Sequence, residues 1–165
     1  MSNRVMMSSP ETLPELIEQA EQFKEGIGET YQQYMNLYWK VEELRCKACG
    51  VGAIRYDKDR VSGGVPYTMA DRVMDLIEVE KDLDHARMAY IIELDNFRQM
   101  MYLAELPVQT IAIWTKRYVQ RKSIGQCARE MRINKWRAQY ELEKEQYNRA
   151  FALVANEIVT NAEYE

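Results

Sequence analysis

The chain has 165 residues, 47% of them hydrophobic and 29% charged, with only 7 Gly and 4 Pro. Such a composition excludes a disordered or fibrous chain and favours long helices, which need few breakers. Its formal net charge of −4 conceals a strong asymmetry. Residues 1–106 carry 12 basic and 19 acidic side chains, whereas residues 107–149 carry 10 basic against four Glu, and the tail from 150 is acidic again. A basic segment set in an acidic chain points to contact with a polyanion. The N-terminus lacks an apolar run of signal-peptide length, and the apolar stretch 99–115 is broken by Glu105 and Pro107. These features predict a cytoplasmic protein with no membrane partner.

The first segment, about 12–49, repeats apolar residues in steps of four and three: Leu16, Ala20, Phe23, Ile27, Tyr34, Leu37, Val41 and Leu44. That is a helical stripe. Pro14 suits a first turn, while Gly26 and Gly28 are expected to weaken or bend the helix. Cys46 and Cys49 form a Cys-x-x-Cys pair, but a zinc site would need two more ligands, and only Cys127 and His85 remain. No metal and no cofactor are therefore expected, and the pair reads as small buried apolar side chains at a helix end. Glycines and charges over 50–67 predict a loop.

The second segment, about 68–105, opens at Thr68 with Asp71 in a near capping box. Met69, Val73, Leu76, Leu83, Tyr90, Leu94, Phe97 and Met101 give it a matching stripe. Two such helices joined by a loop predict a long antiparallel hairpin over 1–106. Apolar surface left uncovered by this hairpin and by Phe151, Val154 and Ile158 makes a homodimer a candidate assembly.

The texture changes after Leu106-Pro107. A helix over 108–122 is expected, then a short helix over 123–131 capped by Ser123. The turn Arg132-Ile133-Asn134 follows, with Asn134 capping one long helix from Lys135 toward Ile158. A short helix, a tight turn and a helix that begins with basic residues is the layout of a helix-turn-helix. The fold class predicted is thus all-α: a hairpin, 1–106, followed by a C-terminal helix-turn-helix domain, 107–165. Ala128 supplies the small residue that closely crossing helices need, with Cys127, Met131, Ile133 and Ala138 apolar around it. Lys135, Arg137 and Gln139 are the candidates for reading bases of double-stranded DNA. Lys116, Arg121, Lys122 and Arg132 are the candidates for phosphate contact, where charge matters more than base identity. Only one side of a helix can face DNA, so about four to six phosphate contacts are expected per subunit. Two residues fit less well: Arg132 stands where Gly is common, and Glu141 where an apolar residue is common. Trp136, Tyr140, Tyr147, Phe151, Val154 and Ile158 form a competing stripe on the last helix.

The order of features resembles the ArpU/RinA-type phage and prophage transcriptional regulators. The residues that carry the resemblance are Arg55-Tyr56-Asp57-Lys58-Asp59-Arg60-Val61-Ser62-Gly63-Gly64, Ala70-Asp71-Arg72-Val73 and Asp75-Leu76-Ile77-Glu78-Val79-Glu80. Lys116-Arg117-Tyr118-Val119, Lys122-Ser123-Ile124 and Cys127-Ala128-Arg129-Glu130-Met131 complete it. It covers roughly residues 40–150, and departs from the family where Cys127 and Ala138 replace aliphatic residues. Such proteins are similar at the C-terminus to region four of sigma factors. The resemblance implies control of late phage genes and makes RNA polymerase a candidate partner. The alternative is a non-enzymatic phage assembly or packaging adaptor, or a helical protein-interaction scaffold; a ring of many subunits would favour packaging. No enzyme is expected, because His85 lacks a partner base or nucleophile at a recognisable spacing and no phosphate-binding glycine loop is present.

Overall fold

A computed structural model describes residues 12–48 and 69–162. The described residues are 90% helical and contain no strand, so the chain is all-α. Two long helices, α1 (Leu13–Ala48) and α2 (Met69–Leu103), come first. They are followed by α3 (Val108–Trp114), a π-helical turn (Thr115–Val119), α4 (Ile124–Met131), α5 (Lys135–Glu143) and α6 (Glu145–Ala162). No helix among them is long and apolar enough to cross a membrane. The expected loop 50–67, the cap at Thr68, Cys49 and the stretch Arg55–Gly64 lie outside the described residues.

Compact units do not follow the expected boundary at 106/107. One unit joins the residues up to Glu29 to those from Ile92 onward, and the other is Thr30–Ile91. Aromatic packing is the reason. In the first unit Phe23 of α1, Phe97 of α2 and Phe151 of α6 lie with ring centroids 5.6–6.4 Å apart, and Trp114 of α3 stands 5.5 Å from Phe151. Phe97, Trp114 and Phe151 are wholly buried. Burying such a ring contributes about 1.5–3 kcal/mol, and each well-set aromatic pair about 0.5–1.5 kcal/mol more. The ends of the two long helices are therefore part of the same core as the C-terminal helices.

In the second unit the helices run antiparallel: Tyr34 stacks on Tyr90 at 5.4 Å, and Arg45 reaches Glu80 at 2.8 Å. Met69 and Val73, expected in the core stripe of α2, are exposed, while Val79 is buried. Cys46 is exposed as well, rather than a buried helix-end residue.

α1 does not break at its glycines. A Cβ on Gly28 would stand 2.6 Å from the Tyr118 carbonyl oxygen and 2.7 Å from Arg121 Nε, so the glycine permits a close approach there. Gly26 has nothing within 4 Å of such a Cβ.

Candidate nucleic-acid interface

The basic segment begins on α3, where Ile111, Ile113 and Trp114 are buried. The last turn of the expected helix 108–122 is wider than an α-helix: it is π-helical over Thr115–Val119 and stops there. Arg121 then takes a left-handed conformation, φ 52°. Ser123 caps α4 in a full capping box: its hydroxyl accepts from the Gln126 backbone N–H, and the Gln126 side chain accepts from the Ser123 N–H at 2.9 Å. The helix ends on Arg132, φ 54° and ψ 40°, whose N–H returns to the carbonyls of Ala128 and Arg129. This is the left-handed helix stop that glycine usually occupies. Asn134 caps α5, accepting from the Arg137 N–H at 2.7 Å. The three-residue turn and both caps stand where local sequence chemistry puts them.

The last helix differs from expectation. It is two helices, because Lys144 adopts an extended ψ of 113° between α5 and α6. The Asn148 amide donates to the carbonyls of Leu142 and Lys144 at 3.0 and 3.1 Å, supplying partners where the helical ladder is interrupted. The break also resolves which face is buried. α5 buries Ala138, Glu141 and Leu142, while α6 buries Phe151, Ala152 and Ala155. Trp136 and Tyr140, members of the competing stripe, are 81% and 51% exposed.

Glu141, standing where an apolar residue was expected, is buried and fully engaged. Its carboxylate accepts from the Thr110 hydroxyl at 2.6 Å and from Arg137 at 2.8 Å, and its backbone carbonyl accepts from Trp114 Nε1 at 2.9 Å. A buried carboxylate is tolerable when its oxygens are satisfied in this way.

A second buried polar group is Lys24 of α1. Its ammonium bonds Glu21 at 2.8 Å and Asn148 at 2.9 Å, and lies 4.3 Å from the Trp114 ring centroid and 4.8 Å from that of Tyr118. Desolvation pulls its pKa below the ordinary lysine value despite Glu21. Burial pushes the Tyr118 phenol up to about 12. A raised acid pKa favours the folded state below pH 10, and that contribution is lost as pH rises through 10 toward 12. Denaturant unfolding of the Tyr118→Phe variant should accordingly lose less stability than wild type across that window, and equal losses would show that the phenol is not held neutral by the fold.

The seven candidate residues divide into distinct environments. Lys116 and Lys122 converge on Glu130, at 2.5 and 2.7 Å, and these two hydrogen bonds hold the Glu130 carboxyl down at about 2. Arg121 shares a groove with Glu21, Glu25 and Glu29, its guanidinium reaching the Glu25 carbonyl at 3.4 Å. Arg132 is exposed in the turn. Lys135 and Gln139 lie one turn apart on the outward side of α5, with Gln139 donating to Glu143 at 2.9 Å. Arg137 is drawn back to Glu141 and lies 5.6 Å from the Tyr140 ring. Three exposed residues are not among the DNA-contact candidates that the sequence offers: Trp136 and Tyr140 on α5 and Arg129 on α4. Trp136 and Tyr140 were hidden because they fall in register with Tyr147 and Phe151, a register that the break at Lys144 interrupts. The buried Cys127 has its thiol pushed up by burial, in keeping with a packing role. Exposed His85 lies outside this unit, and no cluster of metal-ligating side chains occurs among the described residues.

Compared with protein-family models, with curated proteins and with solved structures, the chain matches none of them.

Proposed function

We propose that the protein is a DNA-binding transcriptional regulator of phage or prophage type, and that the α4–turn–α5 unit is a helix-turn-helix set on duplex DNA. The observation that carries this reading is the outward face of α5, which combines exposed Lys135, Trp136 and Tyr140 with Gln139 over a buried inner face of Ala138, Glu141 and Leu142. A helix with a satisfied inner side and a row of cationic, amide and aromatic groups outside is equipped for a major groove. Lysine and glutamine can hydrogen-bond base edges, and apolar side chains can meet thymine methyl groups. Arg129 and Arg132 flank it for phosphates. RNA polymerase stays a candidate partner through the family resemblance alone.

The pairing geometry revises the electrostatics. With Lys116 and Lys122 shared with Glu130, and Arg121 among acidic neighbours, the two contacts of Arg129 and Arg132 remain, giving a slope of log affinity against log salt of about −2 per subunit. Glu130→Gln should release both lysines, raising affinity and steepening the slope by up to about 1.8. Fluorescence anisotropy of the full chain on labelled duplex DNA, between about 50 and about 200 mM salt, reads both quantities. Absence of binding at the lower salt would end this reading, and an unchanged slope in the Glu130→Gln variant would remove the lysine pair from the interface.

A further inference from the structure

Helix α2 is apolar on two opposite sides in the Thr30–Ile91 unit. One side, with Val79 buried and Leu76, Leu83, Ala86 and Tyr90 half-buried, packs within the unit. Two residues further round, about 200° away, a second row runs Met74, Ile77, Lys81, Asp84, Met88, Ile91. All six are exposed, the apolar four by 66% at Met74, 59% at Met88, 42% at Ile77 and 38% at Ile91. Their steps of three and four residues are those of a coiled-coil seam about 26 Å long.

This row is self-complementary. About a point midway between Asp82 and Leu83, reversal of the helix exchanges Met74 with Ile91, Ile77 with Met88, and Lys81 with Asp84. We propose that this face pairs antiparallel with the same face of a second copy of the chain, Lys81 of each opposite Asp84 of the other. Four apolar layers would then flank two central layers in which opposite charges meet. A parallel pairing would place lysine on lysine and aspartate on aspartate, and a one-heptad slip would bring each central charge against an apolar residue. The charged layers thus specify both direction and register, as polar residues at seam positions do. The isologous contact closes on itself, giving a dimer and not a ring of many subunits. It is independent of whether the protein binds DNA.

Sedimentation equilibrium of the full chain should give a concentration-dependent mass that approaches twice the 19.5 kDa of one chain. Lys81→Asp alone and Asp84→Lys alone each create like-charge layers and should raise the dissociation constant at least about tenfold. An equimolar mixture of the two variants rebuilds opposite charges in both central layers and should recover the dimer, as should the double variant Lys81→Asp/Asp84→Lys. Both positions are solvent-exposed, so helicity measured by circular dichroism should stay that of wild type. A wild-type mass fixed at one chain, single variants that dimerise as wild type does, or a mixture that stays dissociated would each overturn the proposal.

Discussion

A fragment of residues 107–165 is expected to show no cooperative unfolding transition. Within the first unit, Phe151 of α6 packs against Phe23 and Phe97, and both partners are removed in this fragment. Lys24, whose ammonium sits against Trp114 and bonds Asn148, goes with them, together with buried Leu16, Ala20, Ile27, Met100 and Met101. Removing a single large core side chain costs about 2–5 kcal/mol, against a total stability of about 5–15 kcal/mol for an ordinary domain. The loss of these residues together exceeds what the fragment can retain. Near-ultraviolet circular dichroism of Trp114 and a thermal melt check this, and a sharp melt with an ordered tryptophan signal would show that α3–α6 form a core of their own. On that expectation the change of charge at residue 107 does not coincide with a boundary between compact units, so the proposed DNA binding is to be measured on the full chain.

The second large effect is expected at Gly28. A valine there brings its Cβ to 2.6 Å from a backbone carbonyl in the π-helical turn, and its two methyl groups extend the clash. The obstructing atom belongs to the main chain and cannot swing aside. Overpacking of this kind costs about 1–3 kcal/mol, which for a domain of this size is roughly 2–12 °C in melting temperature. Gly26→Ala provides the opposite sign. With open space around its Cβ, it should gain the ordinary alanine-over-glycine helix preference of about 0.8–1 kcal/mol. Melting temperatures of the two variants should move in opposite directions. A common loss at both positions would mean that glycine is needed in α1 for flexibility, as its sequence alone suggested.

That pair of glycines shows where sequence reading is strong and where it stops. Local chemistry was legible: Ser123 and Asn134 cap the helices they precede, and the turn between α4 and α5 falls on Arg132-Ile133-Asn134. Each depends on groups within four residues. The all-α class was legible too, because amphipathic periods are a property of short windows. What escaped depends on distant partners. Glu141 could be read as an imperfection because its hydroxyl donor, Thr110, is 31 residues away. The break at Lys144 is accompanied by Asn148 side-chain bonds that no periodicity reports. On α2 the heptad stripe includes Met69 and Val73, which are exposed, because the helix carries apolar residues on two faces and periodicity alone does not say which is buried. In the basic segment the positions of the caps and the net charge were legible. The set of available charges was not, because the carboxylate joining Lys116 to Lys122 sits in the next helix.

The proposed reading of duplex DNA by the outward face of α5 can be checked by selecting bound sequences from a random duplex pool with full-length wild type, Lys135→Ala, Gln139→Ala and Arg132→Ala proteins. Substitution of Lys135 or Gln139 should change which sequences are recovered, with a loss of about 1–3 kcal/mol on the wild-type site for each base contact removed. Arg132→Ala should weaken all sequences alike and leave the recovered set unchanged, since phosphates carry no sequence information. Recovery of one and the same sequence set by all four proteins, with undiminished affinity for the α5 variants, would contradict the claim.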